Sequence, residues 1–291
     1  MKTRIISGII MALAVAAVLV LGITVSPYFI TAFVALAAAV GCFELVSNAA
    51  GVKSKAAVIS SCIYSALMVV ILDKNLEEWA FLTSISSFEN NVILDKIAAN
   101  WSSIPYTLTV LYFVIAVILI LKHHKDFTLA KIAVFSAMPI VVCYAFSTLG
   151  SVINHKNGIY YLLLLLNFSS VCDMGAYFVG VTCGKHKLCP EISPKKTVEG
   201  AVGGIVSAII VGLILVFSFG YGDKLLPTVI LTIPLCIIGM LGDLFASAIK
   251  RSVGIKDYGA LIPGHGGVLD RVDSILLIAP VLYIFVELGV L

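Results

Sequence analysis

The residues best suited to chemistry crowd together near the C-terminus. Between 247 and 273 the chain reads Ser247-x-x-Lys250-Arg251, then Lys256-Asp257-x-Gly259, then Pro263-Gly264-His265-Gly266-Gly267-x-x-Asp270-Arg271-x-Asp273. Asp270 and Asp273 are three apart, so at a helix start they face the same way. With Asp243 from the preceding apolar run they form a hard oxygen set of the kind Mg2+ takes. Gly264, Gly266 and Gly267 let backbone amides turn towards an anion. Arg271 points elsewhere on that helix and suits a phosphate or an acid. Of the five histidines, His265 is the one placed to bind phosphate or assist proton transfer. Asp243, Ser247 and Lys250 share a helical face at i, i+4 and i+7. An acid, a hydroxyl and a cation so placed suit a metal-bound phosphate ester. Asp243 and Lys250 themselves are too far apart to pair directly.

Two further constellations precede this one. Asn167, Ser170, Asp173 and Tyr177 are spaced three, three and four, which predicts one shared helix face. An Asp at a membrane helix centre costs about 2.5–3.5 kcal/mol on insertion scales, so a polar stripe leading to a site is expected there. Gly175, Ala176 and Gly180 would allow close helix packing beside it. The loop 184–200 holds Lys185, Lys187, Lys195 and Lys196 with the hydroxyls Ser193 and Thr197. Either hydroxyl suits the cap of the following helix and Glu199 its first turn. Lysines beside a helix N-terminus make a phosphate site.

These residues need a scaffold, and composition says what kind. The 291 residues are 60% hydrophobic and 12% charged, with a mean hydropathy of +1.11. That excludes an ordinary water-soluble domain. The apolar runs are continuous rather than alternating, so helices, not barrel strands, are the spanning elements. The expected fold is an all-α polytopic membrane protein with nine spans, at 5–25, 27–47, 56–72, 104–121, 132–150, 159–180, 200–218, 226–246 and 274–291. The first is too long for a signal-peptide core and is read as an uncleaved span. With a cytoplasmic N-terminus, 15 of the 19 basic residues fall on the cytoplasmic side; only Lys74, Lys96, Lys156 and Lys224 do not. The positive-inside rule favours that orientation, which puts the polar island in the cytoplasm and the C-terminus on the opposite side. An exterior loop, 73–103, carries Asp73, Glu77, Glu78, Glu89 and Asp95, with Trp79 and Trp101 at the interface. The net charge of +3 reflects orientation and anionic headgroups, not nucleic acid. The seven cysteines, at 42, 62, 143, 172, 183, 189 and 236, form no Cys-x-x-Cys and read as packing residues. The chain is expected to be one integral membrane domain, 1–291, with 1–158 mainly scaffold and 159–291 the catalytic half.

The 247–273 pattern resembles the signature of the CDP-diacylglycerol synthase (phosphatidate cytidylyltransferase) family over all 27 of its positions. Asp173-x-Gly175-Ala176-Tyr177 and Ser193-Pro194-Lys195-Lys196-Thr197-x-Glu199-Gly200 resemble a second block of that family. Residues 160–291 carry the likeness; the first half agrees only in hydropathy. Val181 stands where many members have a basic residue. The resemblance implies that CTP and phosphatidic acid react, with Mg2+, to CDP-diacylglycerol and pyrophosphate at the cytoplasmic face of the cell membrane. It implies Asp243, Asp270 and Asp273 as metal ligands, with Asp173 in reserve. Lys195, Lys196, Lys250 and Arg271 would neutralise phosphate, and the His265 turn would position it. Ser247, Arg251, Lys256 and Asp257 would join Tyr177, Ser193 and Thr197 in contacting substrate. A second metal ion and a homodimer are left open. The rival CDP-alcohol phosphatidyltransferases carry an Asp-Gly-x-x-Ala-Arg stretch that is absent here. A transporter would use Asp173 and Asp243 as ion-coupling sites, but no internal repeat is found. A cytidylyltransferase for another phospholipid is the nearer alternative.

Overall fold

The structure, a computed structural model, describes residues 2–73 and 101–291. The acidic loop expected at 73–103 therefore lies, apart from its ends, outside the described residues. Two compact units are present, Met1–Asn154 and His155–Leu291.

The first unit is a helical bundle. It comprises α1 (Lys2–Thr24), α2 (Tyr28–Phe43), α3 (Lys55–Ile71), α4 (Ile104–Lys122) and α5 (Leu129–Ile153). Helix α2 runs on as a wider π-turn over Glu44–Ala49. The core holds polar groups that find partners inside the unit, as buried polar groups must. Tyr64 and Tyr112 stack with ring centroids 4.3 Å apart, and the Tyr112 hydroxyl donates to the Phe135 carbonyl. Asp73 accepts from Thr31 and, at 3.2 Å, from Asn154, so one carboxylate ties the ends of three helices.

The second unit begins with α6 (Gly158–Leu166), which passes through a π-turn at Asn167–Val171 into α7 (Cys172–Cys183). A two-stranded antiparallel hairpin follows, β1 (Lys187–Cys189) and β2 (Ser193–Thr197), paired Lys187 to Thr197 and Cys189 to Ser193. Then come α8 (Val198–Ser218), α9 (Leu225–Ser252) and α10 (Leu269–Glu287). Thr197 caps α8 by accepting from the Gly200 amide at 3.1 Å. Glycines let α7 and α8 touch backbone to backbone. A Cβ on Gly204 would stand 2.5 Å from the Cys172 carbonyl, and one on Gly200 would stand 2.7 Å from that of Ala176. Small residues at a helix crossing are how membrane helices gain packing energy without a hydrophobic drive between them.

Among the described residues, a helical segment stands at each of the nine expected positions. Seven of them, among the described residues, are long and apolar enough to cross a membrane. Helix α3 is shorter, at 17 residues, and α10 begins with Asp270, Arg271 and Asp273. Large apolar side chains such as Leu13, Val110, Ile210 and Phe245 face outward, as lipid-facing helices require. The all-α membrane class holds, with one addition. The hairpin was missed because Ser-Pro-Lys-Lys-Thr lacks the apolar alternation that marks a strand.

Candidate active site

Helix α7, the hairpin, the start of α8 and the middle of α9 enclose a cavity of about 610 Å3. Its walls include Asp173, Tyr177, Lys187, Ser193, Lys195, Lys196, Thr197 and Asp243, all singled out from sequence, and Met240, which was not. The hairpin is fastened to α8 by Glu199. That carboxylate accepts from the Lys185 amide at 3.0 Å, the His186 amide at 3.1 Å and His186 Nδ1 at 2.6 Å. Glu199 therefore orients the lysine-bearing ribbon rather than facing the cavity.

The π-turn corrects the expected polar stripe. Its wider winding breaks the 3.6-residue period, so Asn167, Ser170, Asp173 and Tyr177 do not share a face. Asn167 is buried, donating to the Ala208 carbonyl at 2.9 Å. Ser169 contacts Ser274 at 2.9 Å, while Ser170 is exposed. Asp173 and Tyr177 turn to the cavity.

Inside the cavity Lys196 Nζ lies 2.5 Å from Asp243 Oδ2. The contact is an ion pair, and Nζ itself is buried. Asp173 is close enough to feel both the Lys196 and the Asp243 charges.

Asp243 is also close enough to Asp273 for their charges to interact. Gly242 makes that approach possible: a Cβ there would stand 3.0 Å from the Asp273 carbonyl and 3.1 Å from Ser274 Cα. Asp273 lies just ahead of the apolar run of α10. Burial, reinforced by Asp243, pushes its carboxyl up to about 6.

Asp270 keeps different company. Its side chain is 2% exposed, and it accepts from Lys250 Nζ at 2.8 Å, the Tyr258 amide at 2.8 Å and the Gly267 amide at 2.9 Å. So the glycine turn does face an anion, and that anion is the protein's own carboxylate. Gly264 (φ 78°) and Gly266 (φ 85°) supply the left-handed backbone the turn needs. His265 sits in it, with its amide donating to the Ile262 carbonyl at 2.9 Å. Lys250, expected to face phosphate, is buried beside Asp270, 5.1 Å over the Tyr258 ring. Tyr258 was missed, being the unspecified residue in Lys256-Asp257-x-Gly259. Its hydroxyl donates to the Ala246 carbonyl at 3.0 Å and pins the loop to α9. Burial and the Asp270 charge hold that phenol well above its usual range. Ser247 is half-buried, while Arg251, Lys256, Asp257 and Arg271 are exposed on the surface. Arg251 Nη1 donates to the Ile255 carbonyl at 3.3 Å.

The site thus has two parts: an open cavity with Asp173, Asp243 and lysines, and a closed cluster around Asp270. Asp273 is electrostatically coupled to both, through Asp243 on one side and Lys250 and Asp270 on the other. The chemistry of the donors suits a hard divalent cation, since Asp173, Asp243 and Asp273 offer oxygen alone. Among the described residues, no three His, Cys, Asp or Glu side chains converge on one point. A cation there would draw first on Asp243 and Asp273, because Asp270 is already engaged.

The comparison with known proteins bears on the whole chain. Residues 2–289 match the cytidylyltransferase family. The chain belongs to that family. It is 45% identical over 129 residues to a phosphatidate cytidylyltransferase of Staphylococcus saprophyticus, covering 44% of this chain and 50% of the relative. A Bacillus subtilis protein of the same name is 48% identical over 116 residues, 40% of this chain and 43% of that one. One from Staphylococcus aureus is 41% identical over 129 residues, with shares of 44% and 50%. The chain spans about half the length of the relatives it matches.

Proposed function

We propose that this family member is a phosphatidate cytidylyltransferase, which joins CTP and phosphatidic acid into CDP-diacylglycerol and releases pyrophosphate. The observation that carries the reading is the cavity: lysines, hydroxyls and two carboxylates gathered at the ends of apolar helices. A water-soluble triphosphate and a lipid phosphate can meet only at such a boundary. The names of the related proteins support the same substrates, and the 15 to 4 lysine and arginine asymmetry supports a cavity on the cytoplasmic face of the cell membrane.

In the reaction a lipid phosphate oxygen attacks the α-phosphorus of CTP. The bond from that phosphorus to the bridging oxygen breaks, and pyrophosphate leaves with the electron pair. No protein nucleophile is needed; positioning and charge neutralisation carry the catalysis. Lys187, Lys195 and Lys196 neutralise phosphate charge along the cavity wall, and Ser193 can donate to phosphate oxygens. Tyr177, largely exposed beside the cavity, lies where a lipid glycerol would pass. A divalent cation, when bound, supplies charge neutralisation at the phosphates, and Asp243 and Asp273 would hold it. The Asp270 cluster keeps the 253–268 loop folded over α9 and α10, and so holds His265 and the start of α10 in place.

The test is pyrophosphate release from CTP and Mg2+ by the purified chain in mixed micelles, with and without phosphatidic acid. Release that depends on the lipid, and is lost in Asp243→Asn, is expected. Release independent of lipid, or none from a folded protein, overturns the reading.

A further inference from the structure

Lys196 is held in an unusual way. Its backbone is fixed on both sides, by pairing of β2 with β1 and by Thr197 capping α8. Its ammonium is carried into the cavity against Asp243, near Asp173. An ammonium has three donors, and the one carboxylate oxygen beside it cannot engage them all. The lysine therefore balances charge at Asp243 and keeps donor capacity for a further anion. Phosphate oxygens are the acceptors that would satisfy it.

Asp243 is also the carboxylate best placed to hold a divalent cation. An ammonium and a divalent ion on one carboxylate repel strongly. We propose that Lys196 competes with the divalent cation for Asp243, and that a phosphate group, by taking the lysine in exchange, lets the cation bind. Metal and phosphate then bind with positive coupling, and by linkage each raises the affinity of the other by the same factor. The enzyme would load its ion together with the nucleotide instead of holding it in advance. This inference rests on the metal assignment in the proposed function, but its test needs no turnover.

The experiment measures Mn2+ binding to the purified full chain in detergent, from the electron paramagnetic resonance signal of free Mn2+. Wild type, Lys196→Met, Lys196→Arg and Asp243→Asn are compared without nucleotide. Lys196→Met should bind Mn2+ about tenfold more tightly than wild type, and Lys196→Arg should not, because it keeps the competing charge. Asp243→Asn placed in the Lys196→Met background should abolish the gain, which locates the ion. Added CTP, corrected for Mn2+ bound by free nucleotide, should raise the affinity of wild type more than that of Lys196→Met. Thermal unfolding midpoints establish that each variant is folded. Equal or weaker Mn2+ binding by folded Lys196→Met, no measurable binding by either protein, or a gain that survives loss of Asp243 overturns the proposal. Failure of lipid-dependent pyrophosphate release with the Mn2+ result intact would instead refute the substrate assignment.

Discussion

Replacing Asp270 with asparagine strips the charge from the most completely engaged carboxylate in the site. The side chains of Asp270 and Lys250 are 2% and 11% exposed, so the change leaves a buried ammonium without its direct ion-pair partner. Breaking a buried pair in this way costs about 3–5 kcal/mol. The asparagine oxygen still accepts from the Tyr258 or Gly267 amide, and the Tyr258 ring still faces the lysine, so about 2–4 kcal/mol is the expected loss. For a unit of this size that lowers the unfolding midpoint by roughly 5–15 °C. The assay is thermal unfolding in detergent, followed by reaction of a thiol-specific fluorophore. Cys172 and Cys236, buried in the same unit, report on it. Lys250→Met added to Asp270→Asn should restore at least about 1 kcal/mol, because the orphaned charge goes with it. Turnover should fall in both the single and the double variant, since the loop loses its anchor. An unchanged midpoint in Asp270→Asn, or strictly additive losses in the double variant, would refute the reasoning; near-normal turnover would refute the anchoring of the loop by Asp270.

Two other outcomes follow from the geometry. Gly242→Leu should push α10 away from α9, because even a Cβ there lies 3.0 Å from a backbone oxygen. An overpacking cost of about 1–3 kcal/mol and loss of pyrophosphate release are expected, with Gly242→Ala milder; full activity in the leucine variant would contradict the packing account. In chelator, burial and the Asp243 charge push the Asp273 carboxyl up to about 6 from its ordinary 3.8. A folded value above the unfolded one means that its contribution to stability is complete below the unfolded pKa and is lost as pH rises through about 6. The unfolding midpoint of wild type should therefore fall, relative to Asp273→Asn, as pH rises from about 4 to 6; parallel curves would contradict the shift.

Much of the site was legible in the residue order because it is encoded locally. Thr197 as a cap, lysines beside a helix start and glycines where the backbone turns left-handed are decided by neighbours a few positions away. Partnerships between elements were not legible. Spacing put Asp270 and Asp273 on one face, yet one closes onto Lys250 and the loop while the other approaches Asp243. Helical periodicity joined Asn167 to Asp173, yet a π-turn sends the first into α8 and the second into the cavity. A π-turn leaves little trace in hydrophobic pattern, since every neighbouring position is apolar or small.

Sequence alone determined that the chain is a helical membrane protein with its polar chemistry in the second half, and which residue types that chemistry uses. Hydropathy and local motifs are properties of short stretches, so they survive without the fold. Only the tertiary structure decided how the charges are paired. Lys196 meets Asp243 across the cavity and Lys250 meets Asp270 across two helices. The reason is that a buried charge must find an opposite one in space, and the chain supplies it from a distant element.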